Sequence, residues 1–209
     1  LVRCQMPLDG SEPLSNMGTN CARLTESLEV PGPVVIDSGI GYVYALEPGS
    51  IFHRKSRIQL FNSSPAALLK ALPLAHIAAD IALQSGGRTL YVASTTQRKI
   101  LYLTARRLEP NLEADVDVFP TRIVVDGTAR FMYVGSYIDG QVQVLNIANG
   151  ATSRPILAGP GLTDLALDEK RQFLYAATDV GVVRVDLSLV EQPVNAVRLD
   201  SATGSRSKN

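Results

Sequence analysis

Ile123-Val-Val-Asp-Gly-Thr-Ala-Arg-Phe-Met-Tyr133 is the stretch on which the reading of this chain turns. It opens on three β-branched apolar residues, which pack well on a buried pleated strand. Asp126-Gly127 follows, a pair suited to a tight turn because glycine accepts positive φ. The chain then returns through Phe131-Met132-Tyr133-Val134 to a small residue, Gly135. An apolar run, a polar turn and a second apolar run describe a hairpin.

The same pattern recurs three more times without internal gaps. The copies are Val34-Val-Ile-Asp-Ser-Gly-Ile-Gly-Tyr-Val-Tyr44, Ile81-Ala-Leu-Gln-Ser-Gly-Gly-Arg-Thr-Leu-Tyr91 and Leu165-Ala-Leu-Asp-Glu-Lys-Arg-Gln-Phe-Leu-Tyr175. Tyr91, Tyr133 and Tyr175 are 42 residues apart, and Tyr44 precedes Tyr91 by 47 because a longer loop follows it. A third strand is expected in each unit, over residues 57–60, 100–103, 142–145 and 182–185. There Gln143 and Arg184 alternate with apolar neighbours, which predicts a half-exposed strand. Weaker fourth strands are expected over 115–118, 155–157 and 196–199. In the first unit that place holds Ala66-Ala67-Leu68-Leu69-Lys70-Ala71-Leu72, whose composition favours a helical turn and an irregular unit.

Four antiparallel strands in roughly 42 residues is the repeat of a β-propeller blade. The chain therefore reads as all-β, with four blades over 34–80, 81–122, 123–164 and 165–200. The small residue closing each second strand suits crowded packing near a propeller axis. Leu90-Tyr91-Val92-Ala93-Ser94, Met132-Tyr133-Val134-Gly135-Ser136 and Leu174-Tyr175-Ala176-Ala177-Thr178 resemble the bacterial YVTN-type repeats and the lactonase-like propellers. The resemblance spans residues 34–200 and implies a ring of six to eight blades. Four blades make only part of such a ring, and an open arc exposes apolar blade faces. A piece of a longer propeller, a ring completed by association, such as four blades plus four, and a small closed ring all remain open, with the first two favoured.

Residues 1–33 fall outside the repeat and form an N-terminal arm rich in Pro, Gly, Ser and Asn. Within it residues 23–30 alternate enough for one strand. Cys4 and Cys21 are the only cysteines, and two close together at a loose end fit a disulfide formed in an oxidising compartment. This points to a periplasmic or extracellular location. Residues 201–209 read as a flexible tail.

Twenty basic residues balance 20 acidic ones, so no global field favours nucleic acid or an anionic membrane. The basic run of residues 52–57 reads as a solvated loop. No apolar run is long enough for a spanning helix. Two cysteines and two distant histidines, His53 and His76, define no metal site. Ser63, Ser94 and Ser136 lack a nucleophile elbow, and no phosphate-binding glycine loop occurs. No catalytic residue and no cofactor is assigned.

Two groups of residues are candidates for binding. Asp80, Arg122 and Asp164 stand just before the first strands of their blades, where the resemblance places a channel mouth able to hold a cation or polar ligand. The plainer reading is that they make hydrogen bonds at strand ends. Arg54, Lys55, Arg98, Tyr137 and Asp139 lie on loops between second and third strands, where arginine and aromatic side chains serve as interface anchors. Together these features favour a non-catalytic propeller scaffold that binds protein or itself within an extracytoplasmic assembly. The alternatives are a lactonase-like or periplasmic dehydrogenase-subunit enzyme using the channel mouth, and a cell-surface adhesive repeat protein.

Overall fold

The computed structural model describes residues 2–4, 21–23, 32–49, 55–190, 193 and 200–201. Ahead of the blades, β1 (Val2–Cys4) and β2 (Cys21–Arg23) pair antiparallel. The first blade consists of β3 (Val34–Asp37), β4 (Tyr42–Glu47), β5 (Arg57–Ser63) and β6 (Ala66–Pro73) in that order. The second consists of β7 (Ala78–Leu83), β8 (Thr89–Ser94), β9 (Lys99–Thr104) and β10 (Glu109–Asp115). The third has β11 (Arg122–Val125), β12 (Phe131–Ser136), β13 (Gln141–Asn146) and the short β14 (Ile156–Leu157). In the fourth blade the described strands are β15 (Asp164–Asp168), β16 (Phe173–Thr178) and β17 (Gly181–Asp186). Finally β18 (Asp200–Ser201) pairs with the outer edge of β10.

Every hairpin of the repeat forms where the sequence places it; an aspartate side chain builds the turn in the first, third and fourth blades, and backbone bonds from Gln84 to Thr89 and Gly87 to Gln84 close it in the second. Asp37 accepts the Gly39 N–H at 3.0 Å, and Asp126 accepts the N–H groups of Arg130 and Phe131 at 2.8 and 3.2 Å. First strands β3, β7, β11 and β15 stand side by side in chain order and form the hub. Three buried clusters then fill the three junctions between blades. Tyr44 faces Ile81 and Val92 across the first junction, Tyr91 faces Ile123 and Val134 across the second, and Tyr133 faces Leu165 and Ala176 across the third. The repeating tyrosine thus seals each blade to its successor. A fourth, small cluster of Val43, Ala45 and Phe61 lies on the other face of the first blade.

Three expectations need correction. Residues 66–73 form a strand rather than a helical turn: β6 lies antiparallel to β5 along its whole length, and ladder pairing overrides a weak helical preference. The fourth strand of the second blade is β10, not 115–118. Val116 and Val118 are apolar because they are buried in the second junction. Gln143 is fully buried rather than half-exposed. Its amide donates to Asp117 Oδ2 at 2.5 Å and to the Ser153 carbonyl at 2.7 Å, and its oxygen accepts the Asp117 N–H at 2.8 Å, so the buried amide is satisfied. The expected strand over 196–199 and residues 24–30 of the arm lie outside the described residues, as do residues 202–209 of the tail.

Candidate functional site

The hub strands begin on one side of the arc, and residues at or just ahead of their starts line an open cleft of about 630 Å³. Pro33 and Pro48 contribute the wall from the first blade, Ile77 and Asp80 that from the second, Arg122 that from the third and Asp164 that from the fourth. The structure therefore brings together the three charged residues selected from the sequence. Their bonds, however, run mostly to backbone. Asp80 is 9% exposed; its Oδ1 accepts the Ile81 N–H and its Oδ2 accepts the Ile123 N–H of the next blade, both at 2.9 Å. Arg122 donates through Nε to the Thr163 carbonyl of the fourth blade at 2.6 Å and through Nη1 to its neighbour Thr121 at 2.7 Å. Asp164 Oδ1 accepts the Leu165 N–H at 2.9 Å, as Asp80 does with Ile81.

Burial pushes the Asp80 carboxyl above the ordinary carboxylate value. The two backbone N–H groups and the Arg122 charge pull the other way, and the Asp164 charge adds to the rise. No hydroxyl, thiol or imidazole lines the cleft among the described residues. Nor do three His, Cys, Asp or Glu side chains converge anywhere among them as a metal site would need.

The loop candidates divide by role. Arg98, held in the left-handed region at φ 53°, lays its guanidinium over the Phe119 ring at 3.9 Å from the centroid. Asp139 accepts the Phe119 N–H at 2.8 Å and the Ser136 hydroxyl at 2.6 Å. Both therefore grip the connector that leads from the second blade to the third. Lys55 and Tyr137 are exposed. Arg54 lies outside the described residues, as does His53. Register places Cys4 directly opposite Cys21 in the β1–β2 pair; Cα atoms of residues paired in this way stand about 4.5–5.5 Å apart, a span a disulfide can bridge.

Sequence reasoning missed Thr121 and Thr163, which stand one repeat apart. Each donates its N–H and hydroxyl to the carbonyl of the small residue one short of the end of a second strand, Gly135 and Ala177 respectively. Their equal place ahead of Arg122 and Asp164 was the available signal.

No family model and no curated protein sequence matches this chain. Solved structures do match it. Hydrazine synthase of Kuenenia stuttgartiensis superposes with a TM-score of 0.65 at 14% identity, covering 85% of this chain and 52% of that one. The β-propeller domain of Cps50 (Swd1) from Myceliophteria thermophila gives 0.59 at 14% identity, with 74% and 50% covered. The fold is a β-propeller. A functionally unknown protein from Desulfotomaculum acetoxidans gives 0.67 at 11% identity, with 82% and 57% covered. At such identities the likeness is one of fold alone. The chain spans about half the length of these propeller-like relatives.

Proposed function

We propose that this chain is a non-catalytic β-propeller scaffold of the YVTN type, acting by protein–protein contact within a larger assembly outside the cytoplasm. The observation that carries the reading is the use made of the cleft charges. Asp80 spends both oxygens on backbone N–H groups and Arg122 reaches the next blade's carbonyl, so two of the three charges serve to tie hub strands together. Exposed Tyr137 and Ile138, on a loop braced by Asp139, provide a rigid apolar tip of the sort that protein contacts use. The extracytoplasmic placement rests on the Cys4–Cys21 register.

Two measurements test the reading. Arg122→Gln is expected to lower the thermal midpoint, and neither it nor the parent protein should turn over lactones or amines. Cross-linking in the native cell should place the chain in a species larger than itself. Turnover by the parent that Arg122→Gln abolishes at an unchanged midpoint would establish instead the second reading, an enzyme with a channel-mouth site. That alternative draws on the buried Asp80 carboxyl and the Asp164 charge beside it.

A further inference from the structure

The outer edge of one blade takes an added strand. β18 pairs antiparallel with β10, Leu112 opposite Ser201 and Glu113 opposite Asp200, and makes the second blade five strands wide. β6 is the corresponding strand of the first blade, and both skip one residue at the same repeat position. Asn111 lies between Pro110 and Leu112, which pair with Leu103 and Tyr102. Leu69 lies between Leu68 and Lys70, which pair with Phe61 and Leu60. Tyr102 and Leu60 are themselves equivalent, since they pair with Tyr91 and Tyr44. Lys70 and Ala71 therefore stand where Leu112 and Glu113 receive β18. No strand pairs with that edge of β6 among the described residues.

Alternation along the ladder decides which groups this edge offers. Leu74 donates its N–H to the Ser56 carbonyl at 2.8 Å, as Val116 does to Arg98 at 2.9 Å. Counting back by twos turns the backbone of Leu72 and Lys70 inward to β5. The N–H and C=O of Ala71 then face outward, as those of Glu113 do toward β18. Leu68 and Leu69 are 55% and 48% exposed beside them. Their equivalents Pro110 and Asn111 are exposed too, although the second blade has a neighbour on either side. Position at the rim, and not at an end of the arc, bares these residues.

The single charge on β6 selects the occupant. It is Lys70, whose ammonium group is held beside the edge by the Arg107 carbonyl. A second copy laid on β6 brings a second Lys70 to the same short edge, and a lysine and a bulge both oppose such self-pairing. An acidic residue opposite Lys70 is favoured instead. We infer that the outer edge of β6 takes an extended, largely apolar segment of another protein, with an acidic residue opposite Lys70, as the fifth strand of the first blade. Main-chain bonds to Ala71 supply the pairing, and Leu68 and Leu69 the apolar contact. The inference rests on the scaffold reading and gives it a docking edge.

The probe is a labelled synthetic peptide of residues 196–204, which contains β18, followed by fluorescence anisotropy on the full chain. A second peptide carries Ser201→Glu, because the β18 register sets Ser201 opposite the place that Lys70 holds on β6. Both should bind saturably, the second up to about fivefold more tightly, the size of one cross-strand charge pair. Lys70→Glu should remove that preference. Ala71→Pro deletes the outward N–H without taking a bond from β5, and should abolish binding at an unchanged circular dichroism spectrum. Where that variant fails to fold, peptide N-methylated at residue 200, which cannot donate to the edge, puts the same question to the parent chain and should not bind. Absence of saturable binding overturns the inference, as do equal binding of the two peptides and binding that Ala71→Pro or N-methylation leaves intact. A dimeric chain that Ala71→Pro makes monomeric also overturns it, in favour of a second copy. A cross-linked species in the native cell that survives Ala71→Pro removes this edge as the docking site and leaves the scaffold reading standing.

Discussion

Asp80 is a carboxylate removed from water and held at two points by backbone. Replacing it with Asn keeps its shape but turns one acceptor into a donor facing an N–H. The expected cost at neutral pH is about 1–3 kcal/mol, the usual penalty for leaving a buried donor unpaired. Its pH dependence has a definite sign. Burial raises the folded-state value above the ordinary 3.8, so the folded protein holds this proton more tightly than the unfolded chain. The stability it contributes is fully present below about 3.8 and is lost as pH climbs through the raised value. The gap in thermal midpoint between parent and Asp80→Asn should therefore widen as pH falls from about 7 to 4. A gap independent of pH would refute burial as the dominant influence on this group. The convergence of Asp80, Arg122 and Asp164 was legible in the sequence, because equal positions in a radial repeat must meet near its hub. The bonds of Arg98 and Asp139 were not legible. Phe119, which both hold, lies 21 residues from Arg98 and 20 from Asp139 along the chain, and no local pattern signals such a contact.

Strands carry the same lesson in two directions. Ile100 and Val182 occupy one repeat position, yet one is sealed in a junction and the other faces water. Ile100→Ala should cost about 2–5 kcal/mol in chemical denaturation, as large-to-small changes in a packed core do. Val182→Ala should change stability by no more than about 0.5 kcal/mol, as an exposed position does. Equal losses at the two sites would mean that the junction faces are not equivalent. Among the strands, second and third ones were plain from the sequence because in the first three blades they lie at the centre of the sheet and are apolar on both faces. Of the outer edge strands β14 falls within the expected 155–157, whereas β6 and β10 were not plain. β6 carries Ala, Leu and Lys, which as edge residues need only pair and not pack, so composition misdirected the reading toward helix. β10 contains Pro110 and Asn111 with a bulge between Pro110 and Leu112, and the stronger apolar signal came from Val116 and Val118 just beyond it.

At the scale of the whole molecule, stability is divided among three junctions that share a chemistry. Tyr44, Tyr91 and Tyr133 sit in one junction each, and burial pushes each phenol from the ordinary 10.0 up to about 12. Nearby carboxylates add to the rise: Asp37 for Tyr44, Asp126 for Tyr91, and Asp126 with Glu169 for Tyr133. The folded form thus holds all three protons more tightly than the unfolded chain does. The stability they contribute is intact below pH 10 and is lost as pH rises through about 12. Since each blade contacts only its neighbours, opening one junction uncovers the face of the next blade and weakens the remainder. Phenolate absorbance and loss of β-sheet circular dichroism should consequently appear together, as one steep transition between about pH 10 and 12. Tyr44→Phe sharpens the test. The Tyr44 hydroxyl is buried with no hydrogen-bond partner among the described residues, so removing it should leave stability at neutral pH unchanged or raised. Burial also raises the Tyr102 phenol in the second junction, so Tyr44→Phe removes one of several ionisations that drive the alkaline transition and should move its midpoint to higher pH. If the sheet signal survives after the phenolate signal is complete, the tyrosines do not seal the junctions.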